Sequence, residues 1–346
     1  MTEVNDDEDS FSMKGKKDTF SMDDIVEGRM TAAELGPTAD GTYTDAKGGT
    51  EMMNEQLYAR VDNDLLDHFH IIKSRVRHID PDKKNILWLH DTWDDPESQH
   101  LEDAEQRKRF AKLVFVSNYQ FQTYHLAHGV PFSESFVLRN AIDPIPWKEK
   151  NDDQIRLIYH TTPHRGLNIA VASILELAKV YGDKIHFDVF SSFNAYGWPD
   201  ADQPYLKMFD QIREHPNMTY HGYQPNDVVR EALQEAHIYA YPNVWPETSC
   251  ISVIEAMSAG CQVVCPNYGA LPETTGHFAT SYQFNEDINT HANIFVNILK
   301  AAIDAHNSED MKRKLMFQKQ WTDNFYNWDM RAAEWTGLLQ GILKNG

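Results

Sequence analysis

The stretch PETSCISVIEAMSAG (246–260) places two carboxylates, Glu247 and Glu255, eight residues apart. Pro242 and Pro246 bound a segment leaving a strand, and the pattern after them predicts a helix opening near Thr248 or Ser249, both good caps. Glu247 then stands just outside the helix, and Glu255 well inside it among Ile254, Ala256 and Met257. A carboxylate in so apolar a neighbourhood is costly unless it has partners. Eight residues of helix rise about 12 Å, a span comparable to that from a sugar to a ribose across a diphosphate. The N–H groups of residues 248–251, unpaired at a helix start, would face an anion between the two acids. One helix would then align a carboxylate for sugar hydroxyls, amides for phosphate and a carboxylate for ribose hydroxyls. The plainer account is that Glu247 only complements the helix dipole and Glu255 is an exposed helical residue.

A second group of candidates stands in the turn YHTTPHRG (159–166), between an apolar run and a helical pattern. It holds His160, Thr161, Thr162, His164 and Arg165. A guanidinium at a strand–helix turn is well placed to grip a diphosphate through two parallel hydrogen bonds. The alternative for Arg165 is a surface ion pair.

These turns need a scaffold, and the pattern of apolar runs supplies one. Short runs at DHFHIIKSRV, KNILWLHD, LVFV (113–116) and ESFVLRNAID alternate with helical patterns in the first half. After the charged, proline-bearing stretch DPIPWKEKNDDQ (143–154) the alternation restarts with IRLIYH, IHFDVFSS, NMTYHG, HIYAYPN and CQVVCPN. Strands alternating with helices predict open parallel sheets, whose ligands bind beyond the carboxyl ends of the strands. The expected organisation is a polar acidic arm over 1–45 and an N-terminal Rossmann-like domain over 46–147. A C-terminal Rossmann-like domain follows over 155–320, and a helix over 321–346 is expected to pack back towards the first domain. No apolar strand precedes Gly48, so the N-terminal domain is expected to be reduced.

Composition narrows the class. The 346 residues carry a net charge of −20 with 41% hydrophobic residues, a globular balance that leaves no basic footprint for nucleic acid. The one basic cluster, QRKRFAK (106–112), reads as a solvated helix face, or otherwise as a contact for a local acceptor or lipid headgroup. Three cysteines are too few for a disulfide scaffold, and Cys261 and Cys265 lack a second ligand pair for zinc. No run reaches the length of a transmembrane span, and no leading apolar segment resembles a signal peptide. The expected location is cytoplasmic, with peripheral membrane contact left open.

Taken together, PETSCISVIEAMSAGCQVVCPNYGALPE resembles the donor-site signature of family 4 of the retaining GT-B glycosyltransferases: a Glu, seven residues, a Glu, a small-residue helix, a strand and a G-x-L-P-E loop (269–273). TPHRGL is similar to that family's basic phosphate turn, FVSNYQ to its V-x-S strand end, and LRNAIDP to its strand before the interdomain linker. KGGTEM resembles its N-terminal glycine loop and WLHD its strand ending in His. The likeness is strong over 155–275 and thin before 85.

The resemblance implies an α/β GT-B fold of two facing Rossmann-like domains with parallel sheets. It implies transfer of a hexose, with retention and without a metal or other cofactor, from a UDP- or GDP-linked sugar to a saccharide or other hydroxyl acceptor. By that resemblance Glu247 contacts the donor sugar, Glu255 binds the ribose, and Arg165 neutralises the leaving diphosphate with help from the amides of Ser249, Cys250 and Ile251. Thr248 belongs to the same turn. His90 faces the transferred sugar, its alternative being a structural histidine at a strand end. Gly48 and Gly49 let backbone approach donor or acceptor, or merely open a helix. Tyr223 and Gln224 fall where the family often holds the base, with plain loop residues as the equal alternative.

Three positions depart from the family. His160 stands where a second basic residue is frequent, so neutralisation would draw on its protonation or on Arg165 and helix amides alone. Cys250 replaces a frequent Gly, either as a small packing residue or as a thiol of lowered pKa. The N-terminal domain is short. Other readings of the same residues are a sugar-nucleotide-binding protein of weak or no activity, or another GT-B enzyme such as a nucleotide-sugar epimerase. A phosphorylase would need a pyridoxal lysine motif that the sequence does not show.

Overall fold

The computed structural model describes residues 48–345; the expected arm over 1–45 lies outside them. The first unit comprises α1 (Gly49–Arg60), α2 (Asn63–Leu66), β1 (Phe69–Lys73), β2 (Lys84–Leu89), α3 (Ala104–Arg107), β3 (Lys112–Phe115), α4 (Asn118–His128) and β4 (Ser135–Val137). Its four strands form a parallel sheet in the order β1-β2-β3-β4. Among the described residues no strand precedes α1, and the apolar stretch read as a strand over 134–143 joins the sheet only over Ser135–Val137.

The second unit runs β5 (Ile155–Tyr159), α5 (Leu167–Tyr181), β6 (Ile185–Val189), α6 (Leu206–Glu214), β7 (Met218–Tyr220), α7 (Asn226–Glu235), β8 (Ile238–Ala240), α8 (Ile251–Ser258), β9 (Gln262–Pro266), α9 (Leu271–Thr274), β10 (Thr280–Tyr282), α10 (Ile288–Ala305), α11 (Glu309–Phe325) and α12 (Trp328–Asn345). Six parallel strands lie in the order β10-β9-β8-β5-β6-β7. The winding reverses between β5 and β8, which creates a crevice at their carboxyl ends.

Local sequence explains the elements. Strands buried on both faces must be apolar throughout, and Ile86 to Leu89 and Leu157 to Tyr159 are almost fully covered. Ser117 caps α4 by accepting from the Gln120 N–H, and Gly129 ends the helix at φ 66°. Ahead of α6 the chain makes a 3-10 turn over Pro199–Tyr205, where Pro204 cannot donate to a helical ladder. Arg107 is not part of a solvated face: it is buried, donates to the Leu101 carbonyl at 2.7 Å, and pairs with Glu134.

The C-terminal segment crosses between the units. The expected helix over 321–346 is two pieces, since α11 ends at Phe325 and α12 begins at Trp328. The Ile142 N–H donates to the Tyr326 carbonyl at 2.7 Å, fixing that break against the interdomain linker. Trp335, Leu338 and Leu339 of α12 then join Met53, Leu57 and Trp88 in one core of the first unit. The linker itself is fastened down, with the Ile145 N–H on Ser258 Oγ at 2.8 Å and Lys319 Nζ on the Ile145 carbonyl at 2.5 Å.

Candidate active site

A cleft of about 920 Å³ separates the carboxyl ends of the two sheets. The residues expected to contact donor or acceptor line it. From the first unit come Gly48, Gly49 and His90, and from the second His160, Arg165, Tyr223, Gln224, Glu247, Thr248, Ser249, Cys250, Ile251 and Glu255.

Arg165 leaves the turn after β5 and Glu247 the loop after β8, so the crevice brings them together. They form a buried ion pair, and the buried Tyr241 hydroxyl donates to the same Glu247 oxygen. Arg165 also lies over the Trp245 ring, 5.7 Å from its centre. Burial works against the guanidinium charge, but the Glu247 carboxylate outweighs it and holds the pKa well above its usual value. Arg165 Nε is buried with no hydrogen-bond partner, so this cation retains an unused donor inside the cleft.

Two glycines allow the approach. Gly166 has φ +107°, and a Cβ there would stand 2.1 Å from the Pro242 carbonyl. Gly269, at φ +60°, lies against the Glu247 backbone, where a Cβ would meet N at 2.6 Å and O at 2.7 Å. The Ala270 N–H donates to the Glu247 carbonyl at 2.7 Å, so the GALPE loop holds Glu247 in place.

Glu255 is buried, and it has partners. Asn226 Nδ2 reaches both of its oxygens at 3.1 Å and Arg230 Nη1 one of them at 3.0 Å. Burial pushes its carboxyl up from the usual value, while Arg230 and Asn226 pull it back. Arg230 Nη2 also donates to the Asp143 carbonyl at 2.6 Å, and Arg60 of α1 pairs with the Asp143 carboxylate at 2.6 Å. These cations escaped the sequence reading; Arg230 follows Asp227 and precedes Glu231, which makes it resemble any solvated helix charge.

The segment between the acids departs from the expected continuous helix. It starts at Ile251, not at Thr248 or Ser249, and neither of these is its cap. Cys250 occupies that position in the left-handed region, φ 103°. The N–H groups left without helical partners are therefore those of Ile251, Ser252 and Val253, and the 12 Å helical span between the acids does not apply. Thr248 turns instead to the other unit, donating from Oγ1 to the His90 carbonyl at 2.8 Å and accepting at its own carbonyl from Ser117 Oγ at 2.6 Å. The Ser249 carbonyl accepts from Thr274 Oγ1 at 2.6 Å. Cys250 is not an activated thiol: burial and then Glu247 push it up to about 12.

Two histidines flank this arrangement as neutral imidazoles. Burial, with Lys73 adding to it, brings His90 down to about 3, and its Nε2 is buried without a partner. Burial also brings His160 down to about 3, against a backbone contact from Ser252. His160 is therefore not a second cation at neutral pH. Further along, Gln224 donates to the His221 carbonyl at 2.9 Å, and His221 stacks on Phe190 at 4.2 Å.

The first unit contributes its glycines at close quarters. A Cβ on Gly48 would meet the Tyr196 ring at 2.8 Å, and one on Gly49 would meet Ile251 Cδ1 at 3.0 Å. The α1 start thus reaches the opposite wall of the cleft.

Comparison with known proteins agrees with this architecture. Residues 197–313 match the family described as glycosyl transferases group 1. Over 146 residues the chain is 25% identical to one component of human (Homo sapiens) phosphatidylinositol N-acetylglucosaminyltransferase, a stretch covering 40% of this chain and 28% of that protein. Among solved structures, a glycosyltransferase from Rickettsia africae superposes with a TM-score of 0.64 at 13% identity, covering 88% of this chain and 85% of its own. Anabaena HepE in complex with UDP and glucose gives 0.60 at 14% identity, covering 75% and 72%. The pneumococcal O-GlcNAc transferase GtfA in complex with UDP and GlcNAc gives 0.59 at 10% identity, covering 75% and 53%. The fold is accordingly GT-B, two facing Rossmann-like α/β domains with parallel sheets, and the second domain carries a group 1 glycosyl transferase region. No helix among the described residues is long and apolar enough to cross a membrane.

Proposed function

We propose that this chain is a retaining glycosyltransferase of family 4 that moves a hexose from a UDP- or GDP-linked sugar to a hydroxyl of a saccharide or similar acceptor. The observation that carries this reading is the buried Arg165–Glu247 pair at the winding reversal, with the start of α8 and the partnered Glu255 beside it in one interdomain cleft. Arg165 Nε and the amides of residues 251–253 receive the diphosphate, and charge developing on it is stabilised in a site largely shielded from water. Glu247, oriented by Tyr241, accepts from the sugar hydroxyls, and Glu255 accepts from the ribose. The neutral His90 offers its unpartnered Nε2 to the sugar from the facing domain. The leaving group is neutralised by these groups and not by a metal. Retention is carried over from the resemblance of residues 246–273, and a cytoplasmic location from the sequence.

Thermal melting with a panel of UDP-, GDP- and ADP-linked sugars tests the donor site; a ligand at about 100 times its Kd adds roughly 2.7 kcal/mol, and no shift with any of them rejects it. Nucleotide release and the anomeric configuration of the product test the chemistry, and an inverted product rejects retention. The neutral His160 gives weight to a second reading, a sugar-nucleotide binder without turnover, for which the melting shift appears and nucleotide release does not.

A further inference from the structure

A smaller cavity of about 220 Å³ adjoins the cleft. Thr92 and Thr248 line both, so they form a shared wall, held by the bond from Thr248 Oγ1 to the His90 carbonyl. The first domain supplies Trp93, Asp94, Tyr119 and Thr123 to the cavity, and the second supplies Pro246 and Tyr268. Trp93 is 41% exposed, whereas Trp88, Trp328 and Trp335 are buried. Asp94 is also exposed. Burial and then Asp94 raise the Tyr119 pKa, which keeps its hydroxyl protonated. The Tyr119 N–H is held by Glu273 at 3.0 Å, which fixes its backbone, and the Tyr268 ring stacks on Phe284 at 3.9 Å.

We propose that this cavity binds a pyranose ring, as a subsite for a saccharide acceptor remote from the reacting hydroxyl. The term acceptor rests on the transferase reading; the binding of a sugar does not. A pyranose has an apolar C–H face and a rim of hydroxyls. Aromatic rings present an electron-rich face to the first, and the Asp94 carboxylate with the Tyr119 and Thr123 side chains supplies acceptors and donors for the second. The volume lies below the range of pockets for drug-sized ligands and suits one ring. A lipid chain would find threonines and a carboxylate on the wall. Because both domains build the cavity, sugar binding there depends on the contacts that hold the domains together, among them the Thr248 bond to the His90 carbonyl.

Saturation-transfer NMR and calorimetry test this on the full chain, with and without UDP. The probes are the methyl glycosides of glucose, mannose, galactose and N-acetylglucosamine, with maltose, cellobiose and chitobiose. At least one probe is expected to bind, and Trp93→Ala to raise its Kd at least tenfold, with Asp94→Asn acting in the same direction. Failure of every sugar to bind the wild-type protein overturns the proposal, as does binding indifferent to both variants. Binding of tetramethylammonium in place of the sugars also overturns it, since aromatic rings beside a carboxylate can hold a quaternary ammonium. Nucleotide-sugar melting shifts are recorded on the same samples. Trp93-dependent sugar binding without any such shift upholds the subsite and rejects the transferase reading; the shift without sugar binding does the reverse.

Discussion

Arg139 of the first domain donates from Nη2 to Glu273 of the second at 2.8 Å. The same carboxylate accepts the N–H groups of Asn118 at 3.1 Å and Tyr119 at 3.0 Å, at the start of α4. A loop that positions Glu247 from behind therefore also fastens the two domains. Each side chain is 23% exposed, so the ion pair alone contributes modestly; the charge-assisted bonds to backbone and the helix terminus add to it. Glu273→Gln is expected to cost about 1–2 kcal/mol and to enlarge the radius of gyration without donor. Melting and small-angle scattering read both, and a variant matching wild type in both would remove the fastening role.

Substitutions of Arg165 and Glu255 are expected to separate turnover from donor binding. Arg165→Ala is expected to lower turnover about 100-fold or more, the order seen when one donor to a developing anion is removed, with a smaller effect on donor affinity. Glu255→Ala is expected to weaken donor binding about tenfold, roughly 1.4 kcal/mol. Arg230→Met would leave Glu255 to its burial, so donor affinity in that variant should improve as pH rises. Wild-type kinetics in Arg165→Ala, or wild-type affinity in Glu255→Ala, would contradict the assigned role.

The two neutral histidines set an acid limit. His90 and His160 sit near 3 in the fold against 6.5 for an unperturbed imidazole, so the unfolded chain takes up their protons first. Their contribution is fully present above pH 6.5 and is lost as pH falls towards 3, by about 1.4 kcal/mol per pH unit for each. Denaturant titrations between pH 7 and 4 should show this slope, reduced in His160→Gln. Donor binding should stay flat between pH 7 and 8; a gain from pH 7 to 6 that disappears in His160→Gln would restore a charged His160.

Gly166→Ala tests the floor of the site. The left-handed backbone costs a non-glycine residue roughly 1–3 kcal/mol, and the clash with the Pro242 carbonyl adds to it. The variant is expected to melt lower and to lose donor binding out of proportion, because the displaced strand ends carry Arg165 and Tyr241. Unchanged donor affinity in a folded Gly166→Ala protein would separate this glycine from the site.

The alternation of apolar runs was enough to read two parallel sheets, because strands buried on both faces leave no polar residue to obscure the period. Glu247 and Arg165 were legible as candidates because their turns combine charge with proline and glycine, and Glu255 because a carboxylate stands among apolar helix residues. Their partners were not. Tyr241 reads as a strand residue, though it meets Glu247 within the loop after β8, and Arg230 reads as one charge of a helix surface and meets Glu255 only where α7 packs beside α8. The start of α8 was misjudged because Thr248 and Ser249 have good capping chemistry but spend their bonding groups on the facing domain and α9. Short β10 carries too few residues for a period to show.

The packing of α12 on α1 and β2 has a consequence for the order of folding. Met53, Leu57 and Trp88 leave the ribosome before the second domain, yet Trp335 and Leu339, which cover them, leave after it. The first sheet must therefore wait, with a tryptophan-bearing face unsealed, while the whole second domain is made. Such long-range closure is slow and leaves apolar surface open to wrong partners. The two domains are thus separate in architecture, but the first sheet is sealed only when α12 docks.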